Sequence, residues 1–335
     1  MTAVTSAPSP PRPTRSGRPR IVLAAATLGV LILAFETYAI LSWIGNGEAH
    51  RTGSGPDKIP TSMIVTARVA EIGAWVVSAW VLNRFLIKPW RREGHLSSDG
   101  IFLCVCATLF WLDPLYQYSR SWSNYNAAFV NFGSWAQLPG APNHHAHQFP
   151  EGILFGGALY LAMVFGGMAT GNWFMQTLSR RFPATKGWHL AAACFVFLYA
   201  IDIALEGYLF VRLGCYVFPG ASGPMINKGH YYQFPLSYAT CVVLTWWVWS
   251  LLRYFKDDKG NTIAERGIER LNLTGRKERG VRFLAIAGVM HALGLLCFVL
   301  PMNLISLHEG KVPADFQHRS YLLGGLCYPN VACPR

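Results

Sequence analysis

The stretch WLDPLYQYSRSWSNYNAAFVNFGSW, Trp111 to Trp135, begins as the end of an apolar run and finishes as an aromatic loop. Asp113 stands beside Pro114 at the turning point. Proline lacks the N–H that an ordinary helix would use there, so the chain is expected to leave the helix at this carboxylate. An ionisable group inside a lipid-length segment is costly and ordinarily faces an interior cavity or a partner. If the run spans a membrane, Asp113 marks the mouth of a chamber.

The rest of the chain favours a membrane. Of 335 residues, 52% are hydrophobic and 14% charged, against about 25% charged in a soluble domain. The apolar residues fall in seven blocks, roughly 21–45, 62–87, 100–118, 152–178, 188–213, 232–254 and 282–307. Each is near the ~20 residues that cross a bilayer. The expected fold is all-α: one polytopic transmembrane helix bundle over 21–308, with a lid-like outer loop at 119–150 and an outer tail at 309–335. Residues 1–20, rich in Pro, Ser and Arg without an acidic residue, read as a disordered cytoplasmic arm. The first apolar run is too long for the core of a cleaved signal peptide.

Basic residues alternate between connections. Arg12, Arg15, Arg18 and Arg20 precede the first block, and the next connection holds only Arg51 and Lys58. Arg84, Lys88, Arg91 and Arg92 follow, then Arg120 alone, then Arg180, Arg181 and Lys186, then Lys228 alone, then a dense group from Arg253 to Arg282. The positive-inside rule gives N-terminus in and C-terminus out, in a bacterial inner membrane. The net charge of +12 is thereby explained by topology. Nucleic acid is not an expected partner, because no aromatic interleaves the basic residues of 256–279; that segment reads as a short solvated helix.

With this topology Glu36, Arg68, Glu71, Asp113, Glu151, Asp202, Glu206 and Arg212 all fall in the middle or outer half of the spans. They are expected to line one chamber. Arg68 and Glu71 share a helix face, as do Asp202 and Glu206. Paired carboxyl groups away from water resist double ionisation, and a carboxyl group that keeps its proton is what general acid catalysis requires. Asp113, Glu151, Asp202 and Glu206 are the candidate catalytic residues.

Tyr125, Phe129 and Phe132 have helical spacing, which predicts a short interfacial helix acting as a lid. Its rings suit an electron-poor intermediate. Trp111, Tyr116, Tyr125 and Asn126, with Asn131, Ser134 and Trp135, are candidate substrate contacts, joined by Tyr231 at the same rim. His144, His145 and His147 lack the regular spacing of a zinc motif and read as a polar loop, so no metal is expected. Cysteines inside the blocks read as small buried hydrophobes, while Cys327 and Cys333 are candidates for a small disulfide loop. Gly156-Gly157 and Gly166-Gly167 read as helix-packing sites. No Walker or Rossmann fingerprint is present, and no cofactor is expected.

Trp111, Asp113 and Pro114, then YNAAFVNFGSW, Pro139-Gly140 and the acidic Glu151 resemble the AveC-like spirocyclase family, polytopic bacterial proteins of avermectin- and milbemycin-type polyketide biosynthesis. The resemblance is firm over about 110–155. It implies a membrane-embedded cyclase that closes a dihydroxyketone polyketide into a spiroketal with loss of water, sometimes with dehydration beside the spirocentre. The implied partners are a small hydrophobic polyketide-like substrate and membrane lipid. Alternative readings of the same residues are a terpene-type cyclase and a proton-coupled transporter or receptor. The last span has no lysine for a retinal Schiff base, and no inverted repeat of spans is visible.

Overall fold

The computed structural model describes residues 19–138, 141–308 and 310–324. The expected arm lies almost wholly outside the described residues, as do Pro139-Gly140 and the Cys327–Cys333 pair. Among the described residues the chain is an all-helical bundle carrying only two-residue β-pairs. Among the described residues six helices are long and apolar enough to cross a membrane: α1 (Arg20–Gly45), α2 (Thr61–Glu93), α3 (Ser98–Gln117), α4 (Ile153–Arg181), α5 (Gly187–Phe210) and α7 (Gly275–Ser306). Helix α6 (Leu236–Tyr254) is shorter and less apolar, because it carries Trp246, Trp247, Trp249 and Arg253. It packs against α4 and α5. Exposed Leu31, Val69, Ile72 and Val196 leave the outer faces of α1, α2 and α5 apolar, as lipid requires.

The connections sort to two ends. At one end the segments after α1, α3 and α5 and the tail are bonded together. Thr52 donates its N–H and hydroxyl to Asn131, Asn126 donates its N–H to the Cys215 carbonyl, and Ala127 to Tyr321. At the other end Arg253, closing α6, meets Asp99 at the start of α3 at 2.8 Å.

The lid is not a helix. Phe129, Phe132 and Tyr125 are separated by a turn and two short strands, β1 (Asn124–Tyr125) and β2 (Phe132–Gly133). β2 pairs antiparallel with β3 (Pro150–Glu151), and β1 with β4 (Tyr216–Val217). Gly133 is required by close approach: a Cβ there would lie 2.2 Å from the His147 carbonyl oxygen. The polar side chains of the stretch supply the turn's hydrogen bonds and so outweigh the helical spacing. Asn131 donates to the carbonyls of Ala127 and Phe129, and Asn126 accepts from the Ala128 N–H.

The 256–279 segment also differs from the single helix expected. It forms two 3-10 turns, Ile263–Glu265 and Ile268–Leu271, before α7 starts at Gly275. Gly267 and Asn272 adopt positive φ, and Thr262 and Glu265 form a capping box. Arg282 ties the first turn down through Glu265 and pairs with Glu278 of its own helix.

Candidate active site

A cavity of about 80 Å³ lies beneath the lid among α3 to α7. Asp113 and Tyr116 reach it from α3, Tyr160 from α4, Glu206 from α5, Tyr238 and Trp249 from α6, and Phe298 from α7. Tyr125 and Tyr216 reach it from the lid strands. Two carboxyl groups and five tyrosines therefore share one otherwise apolar chamber.

Local helix irregularities position these groups. Asp113 sits between two 3-10 turns, Leu109–Leu112 and Pro114–Gln117, where α3 tightens. Tyr160 opens the π-helical turn Tyr160–Val164, Glu206 lies in the π segment Ile203–Phe210, and Phe298 in Leu295–Val299. A π-helical turn widens the helix and recurs at functional sites. Here three of them turn side chains into one chamber.

Each cavity carboxylate is held by tyrosine hydroxyls. Tyr125 donates to Asp113 Oδ2 at 2.8 Å and Tyr160 to Asp113 Oδ1 at 3.1 Å. Tyr216 donates to Glu206 Oε2 at 2.6 Å. The β1–β4 register makes Tyr125 the partner of Tyr216, so this strand pair delivers one hydroxyl to each carboxylate. Burial raises the pKa of both phenols, which keeps them neutral O–H donors.

A second carboxyl group stands behind each of these. Glu151 neighbours Asp113, and Asp202 neighbours Glu206, yet neither lines the cavity. Glu151 Oε2 and both Asp202 oxygens are buried without a hydrogen-bond donor. Burial, reinforced by the Asp113 charge, holds the Glu151 pKa well above its ordinary value, with Ser134 pulling the other way. Glu151 is thus a buried acid beside a cavity carboxylate.

The candidate residues divide accordingly. Asp113, Glu206, Tyr116 and Tyr125 meet at the cavity, with Glu151 and Asp202 directly behind and Ser134 beside Glu151. Trp111 faces α1 and α7, edge-on to Phe35 and stacked near His291. Trp135 donates its indole N–H to the Trp111 carbonyl at 2.8 Å and packs on Trp43 and Phe110. Asn126 and Asn131 build the lid. Tyr231 donates to the Arg212 carbonyl at the rim, away from the cavity.

The single chamber expected for all eight charged residues is lined by only two of them, Asp113 and Glu206, with Glu151 and Asp202 behind. Glu36 faces His291 at 3.8 Å, and Arg212 stacks on Tyr208 and Tyr232. Arg68 and Glu71 pair at 2.5 Å and grip the lid backbone, Arg68 at the Ala128 carbonyl and Glu71 at the Val130 N–H. Tyr160, Tyr216 and Tyr238 were not among the sequence candidates. Among the described residues no group of three or more histidine, cysteine or acidic side chains is arranged to hold a metal, and His147 bonds Gln137.

The family profile described as Spirocyclase AveC-like matches residues 90–322, which contain every cavity residue named above. No curated protein and no solved structure matches the chain. The matching family is membrane-associated and points to a cyclase role in polyketide biosynthesis. By that match, spanning the greater part of its length, the chain belongs to the AveC-like spirocyclase family.

Proposed function

We propose that this protein closes a dihydroxyketone polyketide into a spiroketal by general acid–base catalysis in the bacterial inner membrane. The observation that carries the reading is the pairing of Asp113 and Glu206 on one aromatic cavity, each held by tyrosine hydroxyls. Spiroketal closure needs a proton given to the ketone oxygen while the first hydroxyl attacks. The hemiketal hydroxyl then takes a proton and leaves as water. The resulting oxocarbenium ion is trapped by the second hydroxyl, whose proton passes to a base. The net change is loss of one water.

Two carboxyl groups with tyrosine relays suit this alternation. One of them gives a proton while the other receives one, and the reserve groups Glu151 and Asp202 stand behind to restore each. The faces of Tyr116, Tyr238 and Trp249 suit the cation. A closed, shaped chamber fixes which hydroxyl attacks and from which side. A dehydration beside the spirocentre would use the same pair. The substrate is a small hydrophobic polyketide; neither nucleic acid nor a cofactor enters the proposed steps.

The test is turnover by purified protein in lipid nanodiscs. A dihydroxyketone polyketide is supplied and its dehydrative product followed by mass spectrometry and chiral separation. One spiroketal stereoisomer from wild type, lost in Asp113→Asn and Glu206→Gln proteins of unchanged thermal midpoint, is the expected result. Equal turnover by both variants would remove these carboxylates from the mechanism. Absence of any spiroketal from wild type would overturn the reading.

A further inference from the structure

The lid closes the cavity towards the outer end. Tyr125 is bonded to Asp113, Phe129 stacks on Phe155 at 4.7 Å, and the tail residues Phe316 and Tyr321 are buried over the loop. Lateral access differs. A groove between α2 and the end of α5 faces the lipid side, floored by α4. Val69, Ala70, Gly73 and Ala74 form its α2 wall, and Leu205 and Phe210 its α5 wall. The small residues open it: a Cβ at Gly73 would meet nothing within 4 Å.

Leu159 and Met163 line both this groove and the catalytic cavity. They are four apart on α4, so they share a face and form the partition. Met163 lies in the π-helical turn Tyr160–Val164. Both side chains are flexible and unbranched at Cβ, methionine especially so. A second apolar groove, between α1, α3 and α7, shares no residue with the cavity. Continuity with the catalytic chamber therefore singles out the α2–α5 groove.

We propose that the α2–α5 groove binds the aliphatic part of the substrate arriving from the bilayer and passes it into the cavity between Leu159 and Met163. This rests on the cyclase reading of the cavity. The groove's wall offers no charge, so it selects a hydrocarbon chain, while the carboxylates beyond the partition select the ketone and hydroxyls.

The experiment uses the full chain reconstituted in vesicles of phosphatidylethanolamine and phosphatidylglycerol. The probe is a long-chain aliphatic ketone bearing a diazirine, photolysed in place, with adducts mapped by peptide mass spectrometry. Wild type is expected to carry adducts on both the groove and the cavity wall. Gly73→Trp and Val69→Trp each fill the groove from lipid-facing positions, Val69 being 64% exposed, so neither disturbs the core. Cavity adducts should fall about tenfold in each, the worth of one buried aliphatic side chain. Leu304→Trp, in the unconnected groove, should leave them unchanged.

Cavity adducts undiminished in both groove variants would overturn the proposal. Groove adducts without cavity adducts in wild type would also overturn it, and would leave the groove as a seat for lipid chains only. Absence of adducts in both places would sink it likewise. Delivery of the probe to the cavity by a protein that makes no spiroketal would keep the portal and sink the cyclase reading instead.

Discussion

Asp113 has two tyrosine hydroxyls and Glu206 has at least one, and these side chains set the first tests. Removing the acid–base function at either carboxylate should cost about 10²–10⁴-fold in turnover. Tyr125→Phe keeps the Asp113 carboxyl group but takes away a hydroxyl that it accepts, so turnover should fall with a smaller loss than in Asp113→Asn; equal losses would make the phenol a reacting group. Glu151 gives a pH signature. Its folded-state pKa is raised, so the folded protein holds a proton that the unfolded chain releases above the ordinary value of 4.5. Stability contributed below that value is then lost as pH rises towards the folded pKa. In Glu151→Gln this loss should vanish, and the thermal midpoint of the variant should gain on wild type as pH rises above 4.5. Parallel curves would show that Glu151 does not titrate differently on folding. Asp113, Asp202 and Glu206 were legible as charges inside apolar blocks, and Glu151 as a charge at the mouth of one. Tyr160, Tyr216 and Tyr238 were not, because a tyrosine in such a block ordinarily marks an interface. The β1–β4 register reveals where Tyr216 points and the π turn where Tyr160 points, while Tyr238 is placed by the first turn of α6.

At the level of elements, the lid and the α1–α7 crossing show where spacing misleads. Helical spacing in Tyr125, Phe129 and Phe132 competed with asparagines that bond local backbone, and the asparagines prevailed. The Arg68–Glu71 pair is the lid's clamp, since Glu71 accepts the Val130 N–H at 2.7 Å. Glu71→Ala should destabilise the lid by about 1–3 kcal/mol and speed hydrogen exchange at 128–132, leaving α6 protected. Unchanged exchange there would remove the clamp. The glycine pairs read as packing sites serve only in part. Gly156 lies under Phe110 and Gly167 under Trp246, while Gly157 and Gly166 face open space. A close helix–helix crossing is Gly29 on Gly288, where a Cβ on Gly288 would lie 2.1 Å from the Ala25 carbonyl oxygen. These two glycines are distant in sequence and lack a shared motif, so no local pattern announces them. Gly288→Leu should force α1 away and cost about 1–3 kcal/mol or more, as overpacking does, read as a lower unfolding temperature in detergent.

Across the whole molecule, the helical bundle was legible from block lengths, whereas the count of spans turns on α6. Its tryptophans lower its hydropathy below that of the other six, so composition leaves it ambiguous. Its ends argue for a crossing. Tyr238, near its start, faces the cavity beneath the lid, and Arg253, near its close, bonds Asp99 where α3 begins at the opposite end. A helix of 19 residues at 1.5 Å each is about 28 Å long, close to the thickness of a bilayer core. The basic residues that follow, from Arg253 to Arg282, then lie on the same side as the arm, as the positive-inside rule favours. We therefore predict seven crossings with the termini on opposite sides. Alkaline phosphatase, active only outside, should be inactive when fused after Gly260 and active when fused after Lys311. Activity at Gly260 with none after Lys311 would mean that α6 does not cross. The bundle would then have six spans, with the 255–274 segment and the tail after α7 exchanging faces.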